Sequence, residues 1–381
     1  MNLFELDKSN MRDVILNFPK QFAEGIKAAR GVGFQHTTYN VQHTVISGMG
    51  GSALPGELLK LLSAHLNWPI GVNIHRNYGL PHGLSLRGES GANDVAIHKI
   101  ASSSDCNRSP HNDVLIICIS FSGNTEETLS TYKEAKKLNL PVAVITTGGE
   151  LARAAEKDNT PLALITPRAN IQPRAAIGYQ LSALLKILSN AKIIKSQDKG
   201  LLSLEKSLAP INLELEGREL AKKLKGKTPL IYTSQNYKAL AYIWKIKFNE
   251  NSKIHAFCNY FPELNHNEMV GYADFAQISD LDAKSSTLRS SKMRRRAPSF
   301  HTIILRADDD HPRIQKRMNL TADIIKKRGY GVDILDIKSD SVYNSMFNSI
   351  LLADWTSYYL ALEYGIDPTP VDIVEEFKKK L

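Results

Sequence analysis

The feature that most constrains this chain is a stretch that reads as strand, glycine turn, helix. Thr44-Val45-Ile46 is β-rich, Gly48-Met49-Gly50-Gly51-Ser52 cannot continue a strand, and Leu54 to Leu62 has a helical period. That order places uncommitted backbone N–H groups and a hydroxyl at the positive end of a helix, a seat for phosphate or a similar anion. Taken alone, such a turn is equally a tight connection. It is not a Walker loop, because no Gly-Lys-Ser/Thr follows, and the glycine spacing is not GxGxxG. A second turn of the same kind supplies the missing weight. The apolar run Val114–Ile119 leads into Ser120-Phe121-Ser122-Gly123-Asn124-Thr125, where Ser120, Ser122 and Thr125 crowd one glycine before another helix. In an α/β sheet the carboxyl ends of neighbouring strands share one crevice, so both turns can close on one anion.

Strands and helices alternate through the rest of the chain. Residues 3–30 read as one or two amphipathic helices. Strands are expected at Ile70–Ile74, Val142–Ile145 and Leu162–Ile165, and helices at Thr125–Lys137, Leu151–Lys157 and Arg174–Ser189. The polar stretch Asn190–Lys199 reads as a linker. Beyond it, strands are expected at Leu230–Tyr232, Ile254–Phe257, Phe275–Ile278, Thr302–Leu305 and Val332–Leu335, with helices at Tyr237–Phe248, Pro312–Arg328 and Val342–Tyr364. This rhythm predicts an α/β fold of two doubly wound domains, each a mainly parallel sheet flanked by helices, with boundaries near 1–195 and 196–381. Two stretches break it. Residues 86–112 are rich in Ser, Asn, Asp and Gly, and 282–298 are rich in Ser and Arg; both read as insertions.

Composition narrows the function classes. The net charge of +9 suggests nucleic acid until it is located: 282–298 alone hold six Lys/Arg against one Asp. The stretch reads as a solvated surface loop, with contact to a polyanion as the rival reading. No run approaches the roughly 18 apolar residues of a membrane span, and the charged amino terminus lacks a signal-peptide core, so a cytoplasmic protein is expected. Cys106, Cys118 and Cys258 share no CxxC spacing and read as packing thiols. Histidines in HxH or HExxH spacing are lacking, so neither metal nor cofactor is expected.

Three positions break local rules, as working sites often do. Arg174 follows Pro173 where a helix begins, a place that favours an anion rather than a cation. Glu250 stands at a helix end, where the negative dipole raises a carboxyl pKa and makes a better base if the group is partly buried. His266, in Pro262-Glu263-Leu264-Asn265-His266-Asn267-Glu268, can titrate near neutrality. Each has a plainer reading, as surface arginine, frayed glutamate and loop histidine. Together with an anion seat they suit proton transfer beside a carbonyl on a phosphorylated small molecule.

The motifs resemble those of the sugar isomerase (SIS) superfamily, and within it the bifunctional phosphoglucose/phosphomannose isomerases. The resemblance runs through Gly48–Ser52, Ser120–Glu127, Thr146–Gly149, Pro173–Ala176, Phe248–Asn251, Pro262–Asn267 and Asp367–Pro370. It implies that Gly51, Ser52, Ser120, Ser122 and Thr125 hold a sugar phosphate and that Glu250 moves a proton between C1 and C2. It also implies that His266 opens the sugar ring from across a homodimer interface and that Arg174 steadies the enediolate. Thr369 would lie near C2 and permit both epimers, and Lys378, at a longer spacing from Thr369 than the family's, stands for a lysine that reaches the substrate. The implied partner is a phosphorylated hexose, with neither nucleic acid nor membrane expected. The alternative is a non-catalytic phosphosugar-binding regulator that contacts a polyanion through its basic loop.

Overall fold

The computed structural model describes residues 3–34, 41–81, 114–169, 171–272, 300–338 and 341–380. The insertions at 86–112 and 282–298, the expected strand Phe275–Ile278 and Cys106 lie outside the described residues.

The chain forms two compact units, Leu16–Leu208 and Ala209–Leu381 joined by Met1–Ile15. The division therefore falls at Leu208/Ala209, later than a 195/196 boundary, and the first fifteen residues side with the second half. Both shifts have a local cause. The Asp7 carboxylate accepts from the Met11 and Arg12 N–H groups at 2.7 and 2.9 Å and so starts helix α1 (Met11–Leu16). Arg12 then grips Glu214 through Nε and Nη2 at 2.7 and 2.8 Å, and Tyr359 donates to the same carboxylate at 2.6 Å. A bidentate guanidinium–carboxylate pair of this kind fixes geometry as well as charge.

In the first unit, α2 (Gln21–Ala29) precedes β1 (His43–Ser47), α3 (Leu54–His65), β2 (Gly71–His75), β3 (Val114–Ser120), α4 (Glu126–Lys137), β4 (Val142–Thr146), α5 (Gly149–Lys157), β5 (Leu162–Leu164), α6 (Ile177–Asn190) and α7 (Asp198–Ser207). The polar stretch expected to be a linker is instead mostly the short connection from α6 to α7, within this unit. Leu201 and Leu204 bury one face of α7, and Lys186 pairs with Asp198 at 2.8 Å, which holds the helix on this unit. The sheet is wholly parallel, in order β2-β1-β3-β4-β5. Its central strand β3 is buried at every residue, as a parallel sheet covered on both faces requires. Burial pushes the Cys118 thiol in that strand up to about 12, so it serves as an apolar packing group.

In the second unit, α8 (Pro210–Leu224) leads to β6 (Thr228–Ser234), α9 (Lys238–Glu250), β7 (Phe257–Phe261), β8 (Phe300–Ala307), α10 (Pro312–Lys327), β9 (Gly331–Ile337), α11 (Val342–Glu363) and α12 (Asp372–Lys378). The sheet order β7-β6-β8-β9 repeats the plan of the first, again parallel throughout. Helix α11 is buried along nearly its whole length, with Trp355 donating to the Pro210 carbonyl at 2.7 Å. Strand β7 begins at Phe257, not Ile254, because residues 251–256 form the turn that holds Glu250.

Candidate functional site

The reversal of strand order between β1 and β3 sets the place of the first constellation, since both connections leave from the same sheet edge and open a crevice there. Ser47 of β1 pairs with Cys118 of β3, so the Gly48–Ala53 and Phe121–Thr125 turns stand side by side. They are joined directly: the Phe121 N–H donates to Ser52 Oγ at 3.0 Å. Ser52 is buried, 5% exposed, in a single 3-10 turn that runs into α3.

Two glycines allow this approach. A Cβ on Gly51 would stand 2.5 Å from the Arg174 nitrogen and 2.7 Å from the Pro173 carbonyl carbon. Gly123 has φ +72, and a Cβ there would meet the Gly148 oxygen at 1.8 Å. Only a residue without a side chain fits either place.

The hydroxyls differ in their freedom. Ser122 is exposed, with its Oγ accepting from the Asn124 N–H at 3.3 Å. Thr125 is half-buried at the N-cap of α4, but its side chain makes no cap hydrogen bond, and its hydroxyl pairs with Ser120 Oγ at 2.9 Å. The N-terminal N–H groups of α4 thus stay uncapped by a side chain, which favours an anion there. Ser120 is fully buried and also accepts from the Gly123 N–H at 3.1 Å, so it shapes the turn from beneath.

Arg174 sits in a 3-10 turn (Pro173–Ala175) just before α6 and not within a helix, and it is 1% exposed. Gln21, which no local pattern singles out, holds that turn. Its amide donates to the Ala175 carbonyl at 2.8 Å and accepts from the Gly178 N–H at 3.1 Å, capping α6 from α2. Gln180 of α6, fully buried, places its amide nitrogen 3.4 Å from Ser52 Oγ.

A second constellation belongs to the other unit. Glu250 is the last residue of α9 and half-buried. Its neighbours fix its position: Asn249 donates to the Ile254 carbonyl at 2.8 Å, Asn251 to Ser357 Oγ at 2.9 Å, and Ser252 to the Ser357 carbonyl at 2.7 Å. Lys253 donates to the main-chain carbonyls of Glu250 and, at 3.0 Å, of Pro368. Buried Thr369 follows, its N–H bonded to Asp367 Oδ1 at 3.0 Å. The fold therefore brings Glu250 and the Asp367–Pro370 loop together.

His266 is exposed on a short 3-10 segment (Glu263–His266) after the cis Phe261–Pro262 peptide. Its flanks are anchored. Asn265 donates to Thr321 Oγ1 at 2.9 Å, and Glu268 accepts from Tyr232 at 2.7 Å and from Asn259. Tyr272 completes a chain of buried hydroxyls from Tyr232 to Thr302, with contacts of 2.9 and 2.8 Å. Lys378 is not gathered into this group; it lies on the surface of α12, paired with Glu375 at 2.9 Å.

The two sheets share a plan but not a chemistry. After β8, the counterpart of β3, the chain continues Asp308-Asp309-Asp310, and Asp309 accepts from Tyr237 at 2.8 Å. Among the described residues, these three carboxylates, where the first sheet has serines and a threonine, disfavour an anion beside the second sheet.

Comparison with known proteins identifies the fold and the family. Residues 214–381 match the family model described as "Bacterial phospho-glucose isomerase C-terminal SIS domain". The chain is 32% identical over 381 aligned residues to the bifunctional phosphoglucose/phosphomannose isomerase of Caldicellulosiruptor bescii, covering 97% of this chain and 98% of the relative. It is 30% identical to the D-glucosamine-6-phosphate 4-epimerase of Sulfolobus acidocaldarius, over 59% of this chain and 62% of that protein. The C-terminal domain of glucosamine-fructose-6-phosphate aminotransferase from Francisella tularensis shares the fold, with a TM-score of 0.61, 17% identity, and coverage of 95% of this chain and 98% of that one. With identity sustained from end to end against a relative of matching length, this chain belongs to the family of bifunctional phosphoglucose/phosphomannose isomerases, built on the SIS fold.

Proposed function

We propose that this protein interconverts glucose 6-phosphate and mannose 6-phosphate with fructose 6-phosphate through a cis-enediol. The observation that supports the proposal is the junction of the two turns at Ser52 and Phe121, where hydroxyls, backbone N–H groups and a helix end, the groups that favour a phosphate, stand side by side. Gly51, Ser52, Ser120, Ser122 and Thr125 hold the phosphate. Its binding energy orients reacting carbons some distance away.

His266 of the partner subunit opens the hemiacetal in a cytoplasmic homodimer. Glu250 then takes the C2 proton of the open aldose. The C–H electron pair forms the C1–C2 double bond as O1 gains a proton, giving the enediol. Loss of the O2 proton and return of the carbon-bound proton to C1 complete the ketose, so atoms balance without an external reductant. Arg174 stabilises negative charge on the oxygens. Because C2 is planar in the enediol, both aldoses pass through the same intermediate, and Thr369 lines the space in which C2 is reprotonated; Lys378, paired with Glu375 on the surface of α12, takes no part in these steps. The regulator alternative leaves Arg174, Glu250 and His266 without roles.

The test is fructose 6-phosphate formation from each aldose phosphate, with and without chelator, repeated with Glu250→Gln. Both substrates are expected to react with little effect of chelator. The variant should bind phosphate normally while turnover falls about 10²- to 10⁴-fold, the range for loss of a general base. Activity on neither hexose phosphate, with epimerisation of glucosamine 6-phosphate at C4, would assign the site to the chemistry named for the Sulfolobus relative.

A further inference from the structure

Gln180 stands out among the buried polar groups. It lies in α6 between Tyr179 and Leu181, is fully buried, and leaves its Oε1 without a hydrogen-bond partner among the described residues. An apolar residue of similar length would avoid that cost, because a buried amide with half its capacity unmet is unfavourable. Among the described residues its side chain has one hydrogen-bonding partner, Ser52 Oγ at 3.4 Å.

Hydrogen-bond arithmetic at Ser52 gives that contact a purpose. A serine hydroxyl has one proton to donate and two lone pairs that accept. The Phe121 N–H occupies one lone pair at 3.0 Å and the Gln180 amide nitrogen the other. Neither contact takes the serine proton, so the hydroxyl keeps a proton to donate. We propose that Gln180 is a positioning residue for the anion seat: it holds Ser52 as a hydrogen-bond donor toward a phosphoryl oxygen, at the expense of its own unmet acceptor and so of fold stability. This inference rests on Ser52 being a phosphate contact, as in the proposed function.

An ordinary structural glutamine and a positioning one predict opposite signs. Removal of a structural glutamine lowers stability; removal of this one should leave stability unchanged or raise it while anion affinity falls. The experiment uses the full chain, with inorganic phosphate as the probe, and reads both unfolding midpoint and phosphate affinity by thermal shift. The variants are Gln180→Met, Gln180→Leu, Ser52→Ala and the double variant Ser52→Ala with Gln180→Met.

Both Gln180 variants are expected to unfold at or above the parent midpoint without phosphate, and to bind phosphate about tenfold more weakly, in line with loss of a charge-assisted hydrogen bond. In the Ser52→Ala background the Gln180→Met change should cost nothing further, because its target is gone. Parent-like phosphate binding by Gln180→Met, an undiminished cost in the Ser52→Ala background, or a lowered midpoint or failure to fold in both Gln180 variants overturns the proposal. If Ser52→Ala itself binds phosphate like the parent, the anion-seat assignment falls as well, which separates the two failures.

Discussion

Lys253 donates to the Pro368 carbonyl at 3.0 Å and, with the same ammonium, to the carbonyl of Glu250. One cation therefore ties the end of α9 to the loop that carries Thr369. Lys253 adopts φ +58, a left-handed conformation that costs a non-glycine residue about 1 kcal/mol. Lys253→Gly removes that strain together with the tether. Stability close to the parent is expected, with turnover about tenfold lower, because a shift of about 1 Å in a reacting group suffices for a loss of that size or more. Steady-state kinetics beside thermal melts would check this.

Gly50 and Gly51 are adjacent, yet alanine should act very differently at each. Gly50 has φ +50 with open space around it, so Gly50→Ala meets backbone strain of about 1 kcal/mol and no collision. Gly51→Ala would drive a methyl into the Arg174 backbone. A loss of about 2–3 kcal/mol of stability, as for overpacking elsewhere, and a rise in KM are expected. Denaturant titration of the two variants checks the contrast.

Lys247, three residues before Glu250, is buried against Asp354 of α11 at 2.5 Å, with side chains 1% and 8% exposed. Lys247→Met strands a buried carboxylate and should cost about 3–5 kcal/mol, whereas the double change with Asp354→Leu should recover most of it. Unfolding curves of the three variants form the cycle. No recovery in the double variant would mean that the pair acts through other partners.

Thr369→Ala probes epimer choice. With the phosphate seat untouched, activity on mannose 6-phosphate and on glucose 6-phosphate should fall by different factors. Equal loss in both assays would separate Thr369 from discrimination at C2.

Acid stability should depend on Asp333 in β9. His301 and, to a smaller degree, Lys223 hold its carboxyl down to about 2, with contacts of 2.8 and 2.6 Å. A depressed folded-state pKa stabilises above the unfolded value near 3.8 and is lost as pH falls through about 2. Asp333→Asn should therefore cost about 1 kcal/mol at neutral pH, allowing for solvent screening, and the difference from the parent should vanish toward pH 2. Chemical denaturation at both pH values measures it.

Much of this was legible in the sequence because the signals are local. The alternation of apolar runs with helical periods determined two parallel sheets, since each pattern follows from which backbone groups and side chains one short segment can satisfy. The glycine turns flanked by hydroxyls are legible for the same reason. Strand β7 begins later than its apolar run suggests because Asn249 bonds the Ile254 carbonyl while Asn251 and Ser252 reach Ser357, pairings that no period in residues 254–257 reveals. The polar stretch 190–199 read as a linker because the ion pair of Lys186 with Asp198 and the packing of α7 are tertiary events.

The sequence by itself determined the fold class, the two glycine–hydroxyl turns and the identity of Glu250, Arg174 and His266 as candidates, all properties of residue type and near neighbours. Only the tertiary structure decided that Ser52 meets Phe121, that Gln21 caps the turn bearing Arg174, that Gln180 lies under Ser52, and that Lys253 joins Glu250 to Pro368. Such pairings depend on where strand order reverses and on which helix face packs inward. Those are outcomes of the whole chain burying its apolar surface, not of any single segment.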